Sequence, residues 1–327
     1  MVTSSMLPDD CLMAELVDPV TRRPLRQVPD AWISDVGARY TIVDGIPRFV
    51  GAENYAAAFG LQWKTYSKTQ LDSHTGSTSS ATRLERCLGH PISSLRGKRV
   101  LEAGCGAGRF TELLVAAGAF VHSMDLSVAV EANRENVGDR PNYRVVQADL
   151  RYPPFPPGSF DVVLCLGVLQ HTPSPEASLR ALWEMVRPGG SLVIDHYTWS
   201  LSRVTKLAPL YRLALLRLRP ARAKKYIDTL TDWFFPLHWR VRNIRPAQML
   251  LSRVSPCLVY FNAFPQLSYD EHLELTRLDT FDQLTDCYKH LRTRRQIERT
   301  LRQLCAEQIH AAYAGNGVEA RCRKPTQ

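Results

Sequence analysis

The sequence predicts a protein of the α/β class, built on a mostly parallel sheet with helices on both faces. From Lys98 onward, short runs rich in Val, Ile and Leu alternate with segments of helical spacing. That alternation is typical of parallel strands joined by crossover helices. A glycine-rich turn at 104–108 directly follows the first of these strands. Open parallel sheets bind their ligands beyond the carboxyl ends of the strands, so this turn also predicts the position of a site.

Seven segments have the composition of strands, and we predict them at 98–104, 119–124, 143–147, 160–166, 191–196, 308–314 and 318–323. The helices predicted beside them lie at 109–117, 127–136, 175–186 and 293–304. Ser127 is the expected N-cap of the second helix, and Pro188-Gly189-Gly190 is expected to stop the third. The last two strands form a hairpin through Gly315-Asn316-Gly317.

The remaining segments flank or interrupt this core, which we assign to residues 98–197 and 293–327. Residues 1–51 form a small unit of short strands with a turn at Asp44-Gly45. Residues 52–97 form a helical lead-in above the predicted site. Residues 198–292 are mostly helical and rich in aromatic residues, and we expect them to form an inserted cap that shapes a substrate pocket.

Composition excludes several classes of protein. A hydrophobic content of 45% and a charged content of 22% are those of a soluble globular protein. No apolar run reaches 18 residues, so no membrane span is predicted, and the N-terminus lacks the pattern of a secretory signal, which predicts a cytoplasmic location. The eight cysteines form no C-x-x-C pair, so neither a metal site nor a disulfide framework is indicated.

The positive charge is concentrated in the second part of the chain. The net charge is +9, yet residues 198–327 hold 22 Lys and Arg against 11 Asp and Glu. The densest stretch, 203–225, has eight basic residues and no acidic one. Such a surface attracts nucleic acid, anionic lipid or a phosphorylated substrate, or it only keeps the protein in solution. Within it, the amphipathic segment 210–219 suits a peripheral membrane contact, a dimer contact or a pocket lid.

Four successive strand ends present polar or glycine residues toward one crevice. The loop in VLEAGCGAGRFT (100–111) lets the backbone approach a ligand closely and opens a helix whose N–H groups attract polar groups. Asp125 ends the next strand, where such folds place a carboxylate that accepts hydrogen bonds from ribose hydroxyls. Asp149 ends the third strand, and the segment 164–171 ends the fourth.

This ordered set resembles the class I S-adenosylmethionine (SAM)-dependent methyltransferases, strongly over 98–196 and more weakly over 293–324. The resemblance implies a Rossmann-like, doubly wound sheet with an antiparallel last strand, SAM as cofactor and S-adenosylhomocysteine as product. It implies that Asp149 faces the exocyclic amine of adenine. The full set of implied cofactor-binding residues is Glu102, Ala103, Gly104, Cys105, Gly106, Gly108, Asp125, Leu126, Ala148, Asp149, Leu150, Leu166 and Gly167. A nicotinamide dinucleotide is the weaker alternative, because the loop lacks the G-x-G-x-x-G spacing.

The N-terminal unit is similar to the small zinc-ribbon-type domain that accompanies some methyltransferases. Where that domain has paired cysteines, this sequence has Asp18 and Thr21. We therefore predict a remnant without metal.

Methyl transfer from SAM mainly requires positioning, and an oxygen acceptor usually also requires a general base. The candidates are His171, at the end of the fourth strand, and Asp195-His196-Tyr197, at the end of the fifth. Their alternative roles are a turn cap and a structural hydrogen bond. Phe59, Trp63 and Tyr66 in the lead-in could close over the sulfonium or belong to the core.

The sequence favours methylation of oxygen or nitrogen in a small-molecule acceptor, a metabolite or natural-product intermediate. The basic C-terminal part supports an alternative, methylation of RNA such as tRNA, although no RNA-binding module is recognised. A non-catalytic SAM-binding subunit is the third alternative. The sequence gives no indication of the oligomeric state.

Overall fold

The computed structural model describes residues 15–51, 54–200 and 205–326. Cys11, the rest of the N-terminal residues 1–14 and Arg203, where the basic stretch begins, lie outside the described residues.

The N-terminal unit is a four-stranded antiparallel sheet. Its strands are β1 (Arg26–Val28), β2 (Ala31–Ile33), β3 (Arg39–Val43) and β4 (Ile46–Pro47). Asp44 and Gly45 join the last two strands, with φ angles of 51° and 75°. Positive φ at both central residues is the conformation that a tight hairpin turn requires, which confirms the predicted turn.

The main sheet has seven strands in the order β10-β11-β9-β8-β5-β6-β7. They are β5 (Arg99–Ala103), β6 (Phe120–Asp125), β7 (Tyr143–Gln147), β8 (Phe160–Cys165), β9 (Val186–His196), β10 (Glu307–Ala314) and β11 (Gly317–Arg323). Strand β11, the last in the chain, is antiparallel to both of its neighbours, and the pairs among β5 to β9 are parallel. The predicted fold class is therefore confirmed.

Helices cover both faces of this sheet. They are α1 (Ala57–Thr65), α2 (Asp72–Thr75), α3 (Ser79–Leu88), α4 (Thr111–Ala116), α5 (Ala129–Val137), α6 (Pro175–Met185), α7 (Ala208–Leu215), α8 (Pro220–Arg240), α9 (Arg245–Val254), α10 (Tyr269–Thr285) and α11 (Arg294–Gln303). The neighbours Val100 and Leu101 point to opposite faces of β5, yet neither is exposed. Burial on both faces is what a parallel sheet requires.

Three predicted boundaries were wrong by two residues or more. Helix α4 begins at Thr111 and not at Arg109. Helix α5 begins at Ala129 and not at Ser127, whose hydroxyl donates to the Asp125 carboxylate (2.7 Å) and accepts from the Ala129 N–H (3.2 Å), so that Ser127 joins the strand end to the helix. Strand β9 begins at Val186, five residues earlier than predicted. The strand includes Pro188-Gly189-Gly190, and the register of its pairing with β8 shifts across this segment.

The N-terminal unit docks on the edge of the main sheet. The Phe49 N–H donates to the Gln147 carbonyl of β7 (2.8 Å), and the Val17 N–H donates to the Pro154 carbonyl (3.0 Å). Helices α7 to α10 occupy the interval between β9 and α11. None of the helices in the described ranges is both long and apolar enough to cross a membrane.

Candidate cofactor and acceptor site

A cavity of about 1340 Å³ lies at the carboxyl ends of β5, β6, β7 and β8. Each of these strands is followed by residues that line it: Gly104, Asp125, Ala148 and Leu166. The lead-in helix α1 and the inserted helices α7 and α10 supply other walls. The cavity thus lies where parallel sheets bind ligands, between parts of the chain that are distant in sequence.

The glycine loop fits tightly between two side chains. Gly104 has a φ of +83°, and a Cβ atom there would lie 2.2 Å from the Val168 side chain. Gly106 has a φ of +50°, and its Cβ would lie 3.2 Å from the Trp63 ring. A larger residue would clash at Gly104, and the positive φ of Gly104 and Gly106 favours glycine at both positions. Because neither residue has a side chain, the backbone of the loop itself lines the cavity.

Asp125 holds the glycine loop and also faces the cavity. One carboxylate oxygen accepts from the Gly106 N–H (3.0 Å), and the other accepts from the Ser127 N–H (2.8 Å) and hydroxyl (2.7 Å). Burial raises the pKa of Asp125, whereas these hydrogen bonds act in the opposite direction. Each carboxylate oxygen has two lone pairs, so the oxygen that receives one donor can still accept a ribose hydroxyl.

Glu102 lies beneath the loop and does not line the cavity. It is 4% exposed and accepts from the hydroxyls of Thr111 (2.5 Å) and Ser123 (3.1 Å). Burial raises its pKa to about 7. Ala103 and Gly108, which the resemblance also implied, are likewise absent from the cavity wall, whereas Cys105 belongs to it.

Asp149 forms an ion pair with Arg151 beside the cavity. Its two carboxylate oxygens each lie 3.1 Å from Nε of Arg151, whose guanidinium forms a fork with them. Its neighbours Ala148 and Leu150 line the cavity, but Asp149 does not. The carboxylate is thus engaged by Arg151, and its contact with an adenine amine stays a prediction. Leu126, Leu166 and Gly167 line the cavity as expected.

Two of the four predicted catalytic residues lie outside the cavity wall. Asp195 is fully buried, where it pairs with Arg83 and accepts from the Gly167 N–H (2.5 Å). His196 contacts the Tyr197 carbonyl through Nδ1 (2.8 Å), and burial lowers its pKa to about 4. Both therefore have structural surroundings outside the cavity wall, and their assignment as base or orienting group stays a prediction. Tyr197 does line the cavity.

His171 lines the cavity and is backed by a carboxylate. Its Nδ1 lies 3.2 Å from Oδ2 of Asp286 and 3.2 Å from the Tyr288 carbonyl. Both neighbours are acceptors, so Nδ1 carries the proton, and in the neutral ring Nε2 is the acceptor. Burial alone would lower the pKa of His171, but the Asp282 and Asp286 carboxylates outweigh it and raise the pKa.

Sequence reasoning missed three carboxylates on α10 and at its C-terminal cap. Asp279, Asp282 and Asp286 recur at intervals of three and four residues, so they share one face of the helix. Asp279 and Asp282 line the cavity. Burial and the neighbouring Asp282 raise the pKa of Asp279 to about 7, and the Asp282 carboxylate, whose pKa burial also raises, accepts a hydrogen bond from Tyr197. That spacing was the signal available in the sequence.

Arg212 and Lys289 already neutralise the carboxylate of Asp286. The ligand atoms of His171, Asp282 and Asp286 all lie within 4.8 Å of one another, a grouping that could hold a metal ion. However, Asp286 also pairs with Arg212 (2.9 Å) and Lys289 (3.0 Å). Two fixed cations on one carboxylate disfavour a further cation, and the absence of a catalytic metal stays a prediction.

The lead-in helix supplies aromatic residues to the cavity. Phe59 packs edge-on against His171, with 5.2 Å between ring centroids, and Trp63 covers Gly106. Both line the cavity. Tyr66 does not; it is buried beside Lys224, whose ammonium lies 5.2 Å from the ring centroid. Two of the three aromatic residues are thus placed to shield a bound cation.

Comparison with known proteins assigns a family to the segment that contains the glycine loop and most of strands β5 to β9. Residues 101–194 match the family model described as a methyltransferase domain. A ubiquinone biosynthesis O-methyltransferase of Pseudomonas putida is 36% identical over 104 residues, which are 31% of this chain and 44% of that protein. Another, of Aromatoleum aromaticum, is 29% identical over 168 residues, or 50% of this chain and 71% of that protein.

Among solved structures, human N-acetylserotonin methyltransferase in complex with SAM aligns with 85% of this chain and 61% of its own, at 13% identity and a TM-score of 0.46. The match to the Pseudomonas relative spans less than half of that protein's length. The family match confirms the resemblance to SAM-dependent methyltransferases, and with it SAM as the cofactor.

Proposed function

We propose, on the premise that residues 101–194 are a methyltransferase domain of the SAM-dependent class, that the chain methylates an oxygen of a small-molecule acceptor. The observation that carries this proposal is the His171–Asp286 pair, which lies on the wall of the cavity that also contains the glycine loop. An oxygen acceptor needs a base to remove its proton, and a carboxylate-backed imidazole is suited to that task. Two relatives that are named as O-methyltransferases support the same reaction type.

The residues present fit SAM. Gly104 and Gly106 line the cavity with bare backbone, and Trp63 offers an aromatic face beside Gly106. Asp125 faces the cavity from the next strand, at the position of a ribose ligand. When bound there, the cofactor supplies a methyl group on a sulfonium, and no phosphate has to be held.

The chain itself then has three tasks. The loop and Asp125 hold the cofactor, while Phe59 and Trp63 exclude water from the sulfonium side of the cavity. Nδ1–H of His171 donates to the Tyr288 carbonyl (3.2 Å) and lies beside the Asp286 carboxylate, and these two acceptors fix the ring so that Nε2 accepts the proton of the acceptor hydroxyl. Asp282 and Tyr197 form the wall beside this base and are placed to orient polar groups of the acceptor.

A labelling experiment tests the proposal. Methyl-labelled SAM is incubated with the protein and a cell extract, which is then separated into small molecules, lipid, RNA and protein. We expect label among small molecules or lipids with the wild type and with His310→Asn, an exposed histidine on β10. With His171→Asn we expect a loss of roughly 10²- to 10⁴-fold in rate and little change in SAM affinity, because only the proton transfer is removed.

Two outcomes would contradict the proposal. Label in the RNA fraction, together with tRNA binding that weakens steeply as salt rises, would favour the RNA alternative that the basic C-terminal part suggests. SAM binding without label in any fraction of several extracts would favour a non-catalytic SAM-binding subunit. An unchanged rate in His171→Asn would remove the base assignment and leave the cofactor site intact.

A further inference from the structure

The inserted helices expose apolar side chains that the proposed reaction does not use. We call them the apolar–basic surface and define it by apolar side chains of α7 and α9 together with the arginines beside them: Leu207, Leu210, Leu213, Met249, Leu250, Val254, Arg245 and Arg253. The two helices meet where the Leu207 N–H donates to the Arg253 carbonyl (2.8 Å). The C-terminal end of α9 therefore adjoins the N-terminal end of α7.

These apolar residues are strongly exposed. Leu210 and Leu213 are 62% and 61% exposed, and Met249 and Leu250 are 62% and 67% exposed. Helix α9 is amphipathic, yet it has no buried residue. An amphipathic helix whose apolar side contacts water normally has a partner that covers it.

The charge around this surface is almost entirely positive. Residues 205–254 contain 11 Lys and Arg and only two acidic residues, Asp228 and Asp232. Both acidic residues are already paired, with Lys224 and with Arg277. In the described ranges, Arg245 and Arg253 are exposed and form no salt bridge. The surface therefore combines apolar side chains with cations whose charge is not neutralised.

We propose that the apolar–basic surface docks on an anionic lipid bilayer. Apolar side chains flanked by Lys and Arg are the combination that holds amphipathic helices in the interfacial layer of a membrane. Anionic headgroups supply negatively charged partners for the exposed arginines, which form no salt bridge within the described residues. A second copy of the chain would set positive charge against positive charge, which disfavours self-association through this surface.

Docking would bring one wall of the cavity to the lipid. Leu207 belongs to the apolar–basic surface, and its neighbours Lys206, Ala208 and Pro209 line the cavity. An acceptor dissolved in the bilayer would then have a short path to His171. This last step rests on the proposed function, whereas the docking does not.

The test is cosedimentation of the full chain with vesicles of phosphatidylcholine alone or mixed with phosphatidylglycerol. We expect binding to the mixed vesicles that weakens as salt rises, and at least tenfold weaker binding to the neutral ones. The double variants Leu213→Ser/Leu250→Ser and Arg245→Gln/Arg253→Gln should each lose about tenfold in affinity. The matched control Val36→Ser/Arg26→Gln changes one exposed apolar residue and one exposed arginine on the N-terminal unit and should bind like the wild type.

Thermal unfolding and SAM titration of each variant establish that the fold and the cofactor site are retained. Equal binding of wild type to both kinds of vesicle, or unchanged binding of both surface variants, would overturn the proposal. So would a wild-type dimer that the same substitutions disperse in sedimentation velocity, since the occupant would then be a second copy. Binding to tRNA and not to vesicles would identify a nucleic acid as the partner. None of these results bears on methyl transfer, which the labelling experiment tests separately.

Discussion

At the scale of single residues, the proposed base chemistry depends on the pair His171 and Asp286. Asp286 is buried between a histidine, an arginine and a lysine, so its charge is held in place. The carboxylate both orients the imidazole and, with Asp282, raises the pKa of His171. A base with a raised pKa is stronger, but a larger fraction of it is protonated near neutral pH.

This balance predicts the pH dependence of Asp286→Asn. In the wild type, kcat/KM should rise with pH as His171 loses its proton, with a midpoint above the ordinary value for histidine. The amide removes a negative charge and leaves Arg212 and Lys289 facing the ring, so the pKa of His171 falls and the rising limb moves to lower pH. The plateau rate should fall roughly 10- to 100-fold, because the ring is less well oriented.

The measurement is a kcat/KM profile against pH for the wild type, Asp286→Asn and Asp286→Glu. The glutamate should keep the rising limb near its wild-type position and recover part of the rate. A uniform loss of rate with an unmoved limb would mean that Asp286 only supports the fold around the site.

At the scale of elements, the turn between β5 and α4 is the most constrained part of the cofactor site. Gly104 combines a positive φ with a close approach of Val168, from the segment after β8. The loop is therefore fixed from two sides, by its own strand and by the segment after β8, which is the neighbour of β5 in the sheet. Any added side chain must displace a β-branched neighbour.

Gly104→Ala should therefore weaken SAM binding by at least tenfold and destabilise the protein. The left-handed conformation costs an alanine about 1–2 kcal/mol, and the overlap with Val168 adds to this. Gly37→Ala is the matched control, since Gly37 has a φ of +87° but no atom within 4 Å of its added Cβ. Both variants are studied by calorimetric titration with SAM and by thermal unfolding. The comparison separates the cost of the left-handed backbone conformation from the cost of the overlap with Val168. Equal SAM affinity in the two variants would mean that the close approach at Gly104 does not shape the site.

The main elements of the sheet were predictable from sequence because each buried strand is a short apolar run with a turn signal at its end. The contacts of the inserted helices were not. Helical spacing places Asp282 and Asp286 on one face of α10, but it does not reveal that the face meets His171, from a segment more than a hundred residues earlier. Asp149 shows a second limit of prediction from sequence. Its position at the strand end was predicted, but its ion pair with Arg151 was not.

At the scale of the whole molecule, the cavity joins three parts of the chain. Its floor is the strand ends of the main sheet, one wall is the lead-in helix α1, and another is α10 of the inserted segment. Phe59 of α1 touches His171, which in turn contacts Asp286 after α10. A ligand in the cavity therefore contacts, directly or through one residue, all three parts.

This arrangement predicts that SAM protects more than its own binding loop. In hydrogen exchange followed by mass spectrometry, saturating SAM should slow exchange in 99–125 and also in 57–65 and 269–285, because binding opposes any opening that removes a wall of the site. At a hundredfold excess over Kd, the gain in unfolding free energy should reach about 2.7 kcal/mol if the three parts unfold together. Asp125→Ala should show neither effect at the same SAM concentration, whereas Asp139→Ala, at a strongly exposed carboxylate, should behave like the wild type. Protection confined to 99–125 would instead mean that the lead-in and the inserted helices open independently of the cofactor, and that water reaches the sulfonium side of the cavity.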